Sequence, residues 1–228
     1  GIRDIGVTGV QTCALPIYID QGILIELKKR IPVAAGLAGG SSDAAAVFVG
    51  LNTLFDLNLQ KTDLMDLGVK LGADIPYCIL TGTALAQGIG ERLTKLPPMP
   101  FCHVVIAKPP ISVSTAHVYK SLNLEEISFH PNTEEVIEGI KKRDLRKIAK
   151  NLGNVLESVT IKEHPIIEEI KNTLIEYGAL GSLMSGSGPS VFGLFENSKD
   201  AQAAAKELRL HSKAKDIFVT TIFNRERV

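Results

Sequence analysis

Two glycine-rich segments, one isolated carboxylate and one aromatic carry most of the chemistry this sequence can offer. The first segment is Pro32, Val33, Ala34, Ala35, Gly36, Leu37, Ala38, Gly39, Gly40, Ser41 and Ser42, placed between a β-rich run and an alanine-rich one. Glycines let a backbone turn its N–H groups into a concavity without Cβ clashes. A helix start supplies unpaired N–H donors and partial positive charge. Together these form an anion or phosphate cradle, with Ser41 and Ser42 as added hydroxyls. The same residues also make a tight strand-to-helix turn with a serine cap, and on residue types alone both uses stand. No Gly-Lys-Ser/Thr follows, and the spacing of Gly36, Gly39 and Gly40 does not fit Gly-x-Gly-x-x-Gly, so the loop is neither of those two phosphate motifs. Asp74, in Asp74-Ile75-Pro76, is placed to accept a proton from an attacking hydroxyl, or to cap local backbone N–H groups as a turn residue. The second glycine segment, Ser185, Gly186, Ser187 and Gly188, allows close backbone approach or a plain β-turn. Tyr119 offers an aromatic face that can hold a base by about 1–3 kcal/mol, or an ordinary core or surface ring.

The elements around these residues follow from pattern and punctuation. Gly22–Lys28 alternates as a strand. A helix is predicted from a cap at Ser41, Ser42 or Asp43 to about Phe55, and a second over Thr62–Lys70, capped by Thr62 and stopped by Gly72. Tyr77–Leu80 and Thr83–Gln87 read as strands broken by Gly82. Leu96-Pro97-Pro98-Met99-Pro100 is the domain boundary, because such a segment joins neither helix interiors nor central strands. Beyond it come a strand over His103–Ala107, a helix starting at Ser114 or Thr115, and helices over Asn132–Ile140, Arg143–Leu152 and Pro165–Tyr177. Leu183–Phe195 reads as strand, turn and strand, followed by a helix over Ala201–Leu208 and a strand over Ile217–Phe223. The class is α+β.

Composition narrows the function. Among 228 residues, 25 Lys+Arg balance 25 Asp+Glu, which argues against a protein that works by broad phosphate neutralisation of nucleic acid or by a polybasic membrane contact. No apolar run is long enough to span a bilayer. Cys13, Cys78 and Cys102 form neither a CxxC pair nor a disulfide framework, so the expected compartment is the reducing cytoplasm. The five histidines lack ligand spacing. The basic run Lys141-Lys142-Arg143 with Arg146 and Lys147 follows Glu134, Glu135 and Glu138 and reads as a solvated helix face.

The loop Pro-x-x-x-Gly-Leu-x-Gly-Gly-Ser-Ser-x-Ala-Ala resembles the second motif of the GHMP kinase superfamily. Its doubled glycine and the run Leu71-Gly72-Ala73-Asp74-Ile75-Pro76 resemble the branch that phosphorylates the 2-hydroxyl of cytidine diphosphate methylerythritol in non-mevalonate isoprenoid synthesis. The resemblance covers the chain from Tyr18 onward. It implies a two-domain fold, with an N-terminal α/β domain over 18–96 and a ferredoxin-like C-terminal domain over 97–228. It implies ATP on residues 32–42, with Mg²⁺ because ATP chemistry needs its charge neutralised, and Ser41 or Ser42 as the ligands this chain offers. Asp74 matches the family's catalytic aspartate. Ser185–Gly188 matches the third motif, which packs by the phosphate loop, and Tyr119 matches an aromatic that stacks on cytosine. A small-molecule substrate, no nucleic acid or membrane partner, and a monomer or weak homodimer are expected. Another kinase of the superfamily acting on homoserine, mevalonate or a sugar is the near alternative. A non-catalytic nucleotide-binding module is the distant one.

Residues 1–17, GIRDIGVTGVQTCALPI, resemble a translated sequencing adapter residue for residue. They are read as foreign to the fold, Cys13 with them. The family's opening Lys-x-Asn-Leu strand and its Gly-Tyr-His stretch are not found in this sequence, and Lys28 and Lys29 do not replace them. The N-terminal domain is therefore expected to be truncated, marginally stable and nearly inactive as it stands.

Overall fold

The computed structural model describes residues 22–123, 125, 127, 130–211 and 213–224; residues 1–17 lie outside them. The chain divides into two compact units. One takes the described residues of Gly1–Val33 and Ala38–Lys95, the other Ala34–Leu37 and Leu96–Val228.

The first unit is built on α1 (Gly39–Leu54), α2 (Lys61–Gly68) and α3 (Ile75–Leu80). Ala45, Phe48 and Leu51 recur on one face of α1 and bury against Leu64 of α2 and Ile75 and Ile79 of α3. The helix does not open on a serine cap. It opens one turn earlier, with Ala38 in the left-handed conformation at the cap position and no side-chain cap bond. Gly39 and Gly40 lie inside its first turn, and Ser41 and Ser42 behind them. The far end is clipped by Asn52, which accepts from the Leu59 N–H at 3.0 Å and donates to the Leu59 carbonyl at 3.1 Å. Thr62 likewise does not cap α2; Gln60 precedes it, its N–H donating to Asp63 at 2.8 Å.

Tyr77–Leu80 is helix, not strand. A four-residue apolar run fits either, and Pro76 in the first turn settles it with a φ already suited to a helix start. The buried pair Ile75 and Ile79, four apart, then faces the Phe48 cluster. Thr83–Gln87 shortens to β1 (Ala84–Gln87), paired antiparallel with a second strand that the sequence reading missed, β2 (Arg92–Lys95), in the register Ala84↔Lys95 to Gln87↔Arg92. Residues 22–30 alternate exposed and half-buried, as a strand would, yet no strand is formed there among the described residues.

The second unit carries a four-stranded antiparallel sheet of β3 (His103–Lys108), β4 (Gly181–Met184), β5 (Val191–Phe195) and β6 (Asp216–Thr221), in the order β4-β5-β3-β6. Its helices are α4 (Thr115–Ser121), α5 (Thr133–Lys142), α6 (Leu145–Lys150), α7 (Glu157–Glu163), α8 (Ile166–Glu176) and α9 (Ser198–Leu210). The helix α7 was missed. Strand, helices, hairpin, helix and closing strand in this order are the ferredoxin-like arrangement. Strand alternation sorts the core: Val105 and Ala107 face Ile167, Ile170 and Leu174 of α8 and Ala201, Ala204 and Leu208 of α9. Val104 and Leu194 face the other side, with Cys102 and Ala149. Small residues on α9 let it lie close to the sheet.

One residue in the first unit is strained. Thr81, just after α3, has φ 60° and ψ 168°, a region essentially reserved for glycine and costing about 1–3 kcal/mol. Glycine there returns about 0.5–1 kcal/mol as unfolded-state entropy. Thr81→Gly is therefore expected to stabilise the chain by about 1 kcal/mol, raising the urea midpoint; an unchanged or lowered midpoint would contradict the strain.

Candidate functional site

The first glycine loop takes a conformation that its composition alone does not reveal. Positive φ recurs at every second residue: 51° at Ala34, 69° at Gly36 and 48° at Ala38. Alternating hand along a backbone turns successive N–H groups toward one side, the geometry of an anion nest. Two of the three residues are alanines, for which this region is uncommon, so the shape is imposed by surroundings. The loop ends at α1, whose first-turn amides have no side-chain cap. Ser42 N–H is the first to bond within the helix, to Ala38 O at 2.9 Å. Donors therefore stand unspent at the place where the sequence suggested a phosphate.

Within the second unit, the loop's first half meets the turn between β4 and β5. Ser185 Oγ donates to Gly36 O at 2.8 Å, and Ser190 N–H donates to Ala35 O at 3.3 Å. A Cβ on Gly36 would collide with the Ser185 carbonyl oxygen and lie 2.8 Å from that of Gly188. Gly186 and Gly188 are left-handed too, at 58° and 86°. The two glycine segments thus pack backbone to backbone. Ser187 is nearly buried and its hydroxyl sits 2.8 Å from Thr115 Oγ1, while its carbonyl accepts from Thr160 Oγ1 at 3.2 Å. Thr115 opens α4, the helix that also carries Tyr119. Val118 on that helix is fully buried and Tyr119 is 63% exposed, so its ring belongs to the surface and not to the core.

In the first unit, Lys29 is ion-paired to Asp43 of α1, and a Cβ on Gly39 would meet Lys29 Nζ at 3.2 Å and Ile31 at 3.0 Å. Pro32 and Val33 lead into the loop from this side. Asp74 occupies the cap position of α3, yet its side chain makes no cap bond and the residue is exposed. The turn role is thereby removed, and the carboxylate is left unengaged by the helix it precedes. Its charge adds to burial, the larger cause, in holding the Cys78 thiol above its ordinary value. Tyr77 is raised as well, by burial first and by Cys78 second. The preceding carbonyl, Ala73 O, has Gly90 of the β1–β2 turn against it: a Cβ there, at φ 119°, would sit 3.2 Å away.

Comparison with known proteins places this geometry. The model described as GHMP kinases N-terminal domain matches residues 7–82, and that described as GHMP kinases C-terminal matches residues 136–214. The chain belongs to the GHMP kinase family. The first match begins inside the segment read as foreign. The chain is 56% identical to a 4-diphosphocytidyl-2-C-methyl-D-erythritol kinase of Lachnoclostridium phytofermentans over 210 residues, 92% of this chain and 72% of that protein. It is similar to a solved 4-(cytidine 5'-diphospho)-2C-methyl-D-erythritol kinase, with TM-score 0.78 and 32% identity over 96% of this chain and 78% of the other. A homoserine kinase of Cytophaga hutchinsonii superposes with TM-score 0.78 at 22% identity, over 94% and 74%; that likeness shows the shared fold alone. GHMP kinases take ATP as phosphoryl donor, which suits a loop of left-handed turns and uncapped amides.

The sequence reading found the two glycine segments but not what holds them. Thr115 and Thr160 lie in no motif, and only the position of Thr115 at a helix start gave any signal. Gly36→Ala is expected to weaken ADP binding more than tenfold and lower the melting temperature, since both its φ and its space forbid a side chain. Gly40, helical and with nothing within 4 Å, is expected to accept alanine with stability unchanged or raised by about 1 kcal/mol. Calorimetry and thermal melts on the two variants check this; equal behaviour would contradict the packing.

Proposed function

We propose that the protein this sequence comes from is a kinase acting on the 2-hydroxyl of 4-(cytidine 5'-diphospho)-2-C-methyl-D-erythritol, with ATP as donor, in the non-mevalonate route to isoprenoids. The observation that carries the reading is the left-handed nest at 34, 36 and 38 running into an uncapped helix, in a chain 56% identical to a kinase of that name. Residues 34–42 hold the phosphates through backbone N–H groups. Asp74 takes the proton from the 2-hydroxyl as its oxygen attacks the γ-phosphorus and ADP leaves; its freedom from capping supports that role. Phosphoryl transfer is largely positioning and charge stabilisation, so a rigid nest is the feature to expect.

Magnesium fits the donor set. It takes oxygen ligands and keeps several waters, and the Ser41 and Ser42 hydroxyls stand in the first turns of α1 while the neighbouring carboxylate, Asp43, is held by Lys29. Those two hydroxyls, with phosphate oxygens, would hold it, and the ion would neutralise charge between the β- and γ-phosphates. Tyr119 is assigned to the cytosine face, an assignment its exposure supports. A reducing, cytoplasmic setting suits the free thiols of Cys78 and Cys102. Burial holds the Cys102 thiol up at about 11, so it stays protonated at neutral pH.

Three outcomes are expected. In a complete enzyme, Asp74→Asn keeps ADP affinity within about twofold while phosphoryl transfer falls by at least about a hundredfold; near-normal transfer would remove Asp74 from the base role. ATP consumption is expected to be highest with the cytidylyl alcohol among that compound, homoserine, mevalonate and galactose, and Tyr119→Ala is expected to raise its KM by about tenfold while leaving that of ATP unchanged. Preference for another alcohol would move the chain to a different branch of the family. Equal effects on both KM values would remove Tyr119 from the cytosine face.

A further inference from the structure

The amides of the phosphate loop are aimed from behind. A trans peptide unit is planar, so its C=O and the following N–H point in opposite directions. The Ala35 carbonyl is captured by Ser190 N–H and the Gly36 carbonyl by Ser185 Oγ. Each capture therefore fixes the next N–H, of Gly36 and of Leu37, to point away from the β4–β5 turn. Neither N–H has an acceptor among the described residues. Their direction is inherited from the turn, and the question becomes what sets the turn.

That turn is held by a segment at the start of α7. Asn154 Nδ2 donates to two carbonyls at once, Met184 O at 2.9 Å and Gly186 O at 2.7 Å. Its orientation is forced, because Oδ1 accepts from Leu156 N–H at 3.0 Å, leaving only the amide nitrogen for the turn. Glu157 takes the remaining group on Met184, its N–H, at 2.8 Å, and its second oxygen holds Lys171 Nζ at 2.7 Å. Both ends of that ion pair are 17% exposed, so it is shielded and well seated. Ser185 lies between these two anchored carbonyls, with Gly186 at a φ of 58°, and is thereby held against Gly36.

We propose that Asn154 is a positioning residue for ATP, acting through Ser185 to aim the Gly36 and Leu37 amides at the phosphates, with Glu157 holding the same turn from its other side. The inference rests on the assignment of residues 34–42 to ATP.

The test is calorimetric binding of ADP to the full chain and to the Asn154→Ala, Ser185→Ala and doubly substituted forms. Asn154→Ala is expected to weaken ADP about tenfold, with binding of the cytidylyl alcohol within twofold. Because Asn154 acts through Ser185, the double variant is expected to lose no more than Ser185→Ala alone. A folded Asn154→Ala that binds ADP within twofold of the unchanged chain would overturn the proposal. So would an alcohol loss equal to the ADP loss, which a general loosening would produce, or losses that multiply in the double variant. Should Asn154→Ala fail to fold, Ser185→Ala decides by the same ADP criterion, since it leaves the Asn154 bonds in place. Failure of the unchanged chain to bind ADP would instead refute the ATP assignment itself.

Discussion

Much of this chain is organised by the capture of two carbonyls. Ala35 and Gly36 give their oxygens to Ser190 and Ser185, and the alternation of backbone hand from 34 to 38 goes with that capture. A loop of this shape is unfavourable alone, because two alanines must adopt a region that L-residues avoid. It persists only where surroundings over-determine it. The ferredoxin-like sheet provides those surroundings: β4 and β5 fix the two ends of the turn, and α8 and α9 bury the sheet's inner face with Ile167, Ile170 and Leu174 fully covered. The large core of the second unit therefore has a local product, a rigid pair of hydrogen-bond donors.

The first unit handles its own part differently. The start of α1 gains no stability from a side-chain cap, and substituting a good cap is generally worth about 1 kcal/mol. Forgoing it leaves the first amides free for a ligand. The same choice recurs at α3, where Asp74 stands in the cap position without capping. At both starts no side chain in the cap position bonds a first-turn amide. Among the other helices, Ser114, Asn132 and Asp144 each accept from a first-turn N–H, while the helices that follow Leu156, Pro165 and Asn197 also open without a side-chain cap bond.

What could be read in the sequence follows the range of the forces. The apolar period at Ile166, Ile167, Ile170 and Leu174 gave α8, and the short apolar run after His103 gave β3. The glycine segments announced themselves because glycine is chosen for backbone reasons that are local. Tyr77–Leu80 misled because four apolar residues carry no period, and the deciding contact, with the Phe48 cluster, is distant in sequence. The serine caps misled because good capping residues are present but displaced into the helix by two glycines. Asn154 and Glu157 were illegible for a deeper reason: their partners are carbonyls and amides, which every residue possesses, so nothing in the sequence marks Met184 or Gly186 as recipients.

This has a consequence for how such a site tolerates change. A side chain that binds a ligand directly can be replaced by another of similar chemistry. A side chain that binds a backbone carbonyl at a left-handed glycine has two constraints, its own reach and the conformation of the peptide it holds. Asn154 meets both with one amide group bridging the carbonyls on either side of Ser185. Glutamine carries the same chemistry one methylene further out, so it would displace Gly186 rather than hold it, while serine has the donor but not the span. The first glycine loop's tolerance is thus set partly at a residue remote from it in sequence, and the turn between β4 and β5 is the link through which that constraint reaches Gly36.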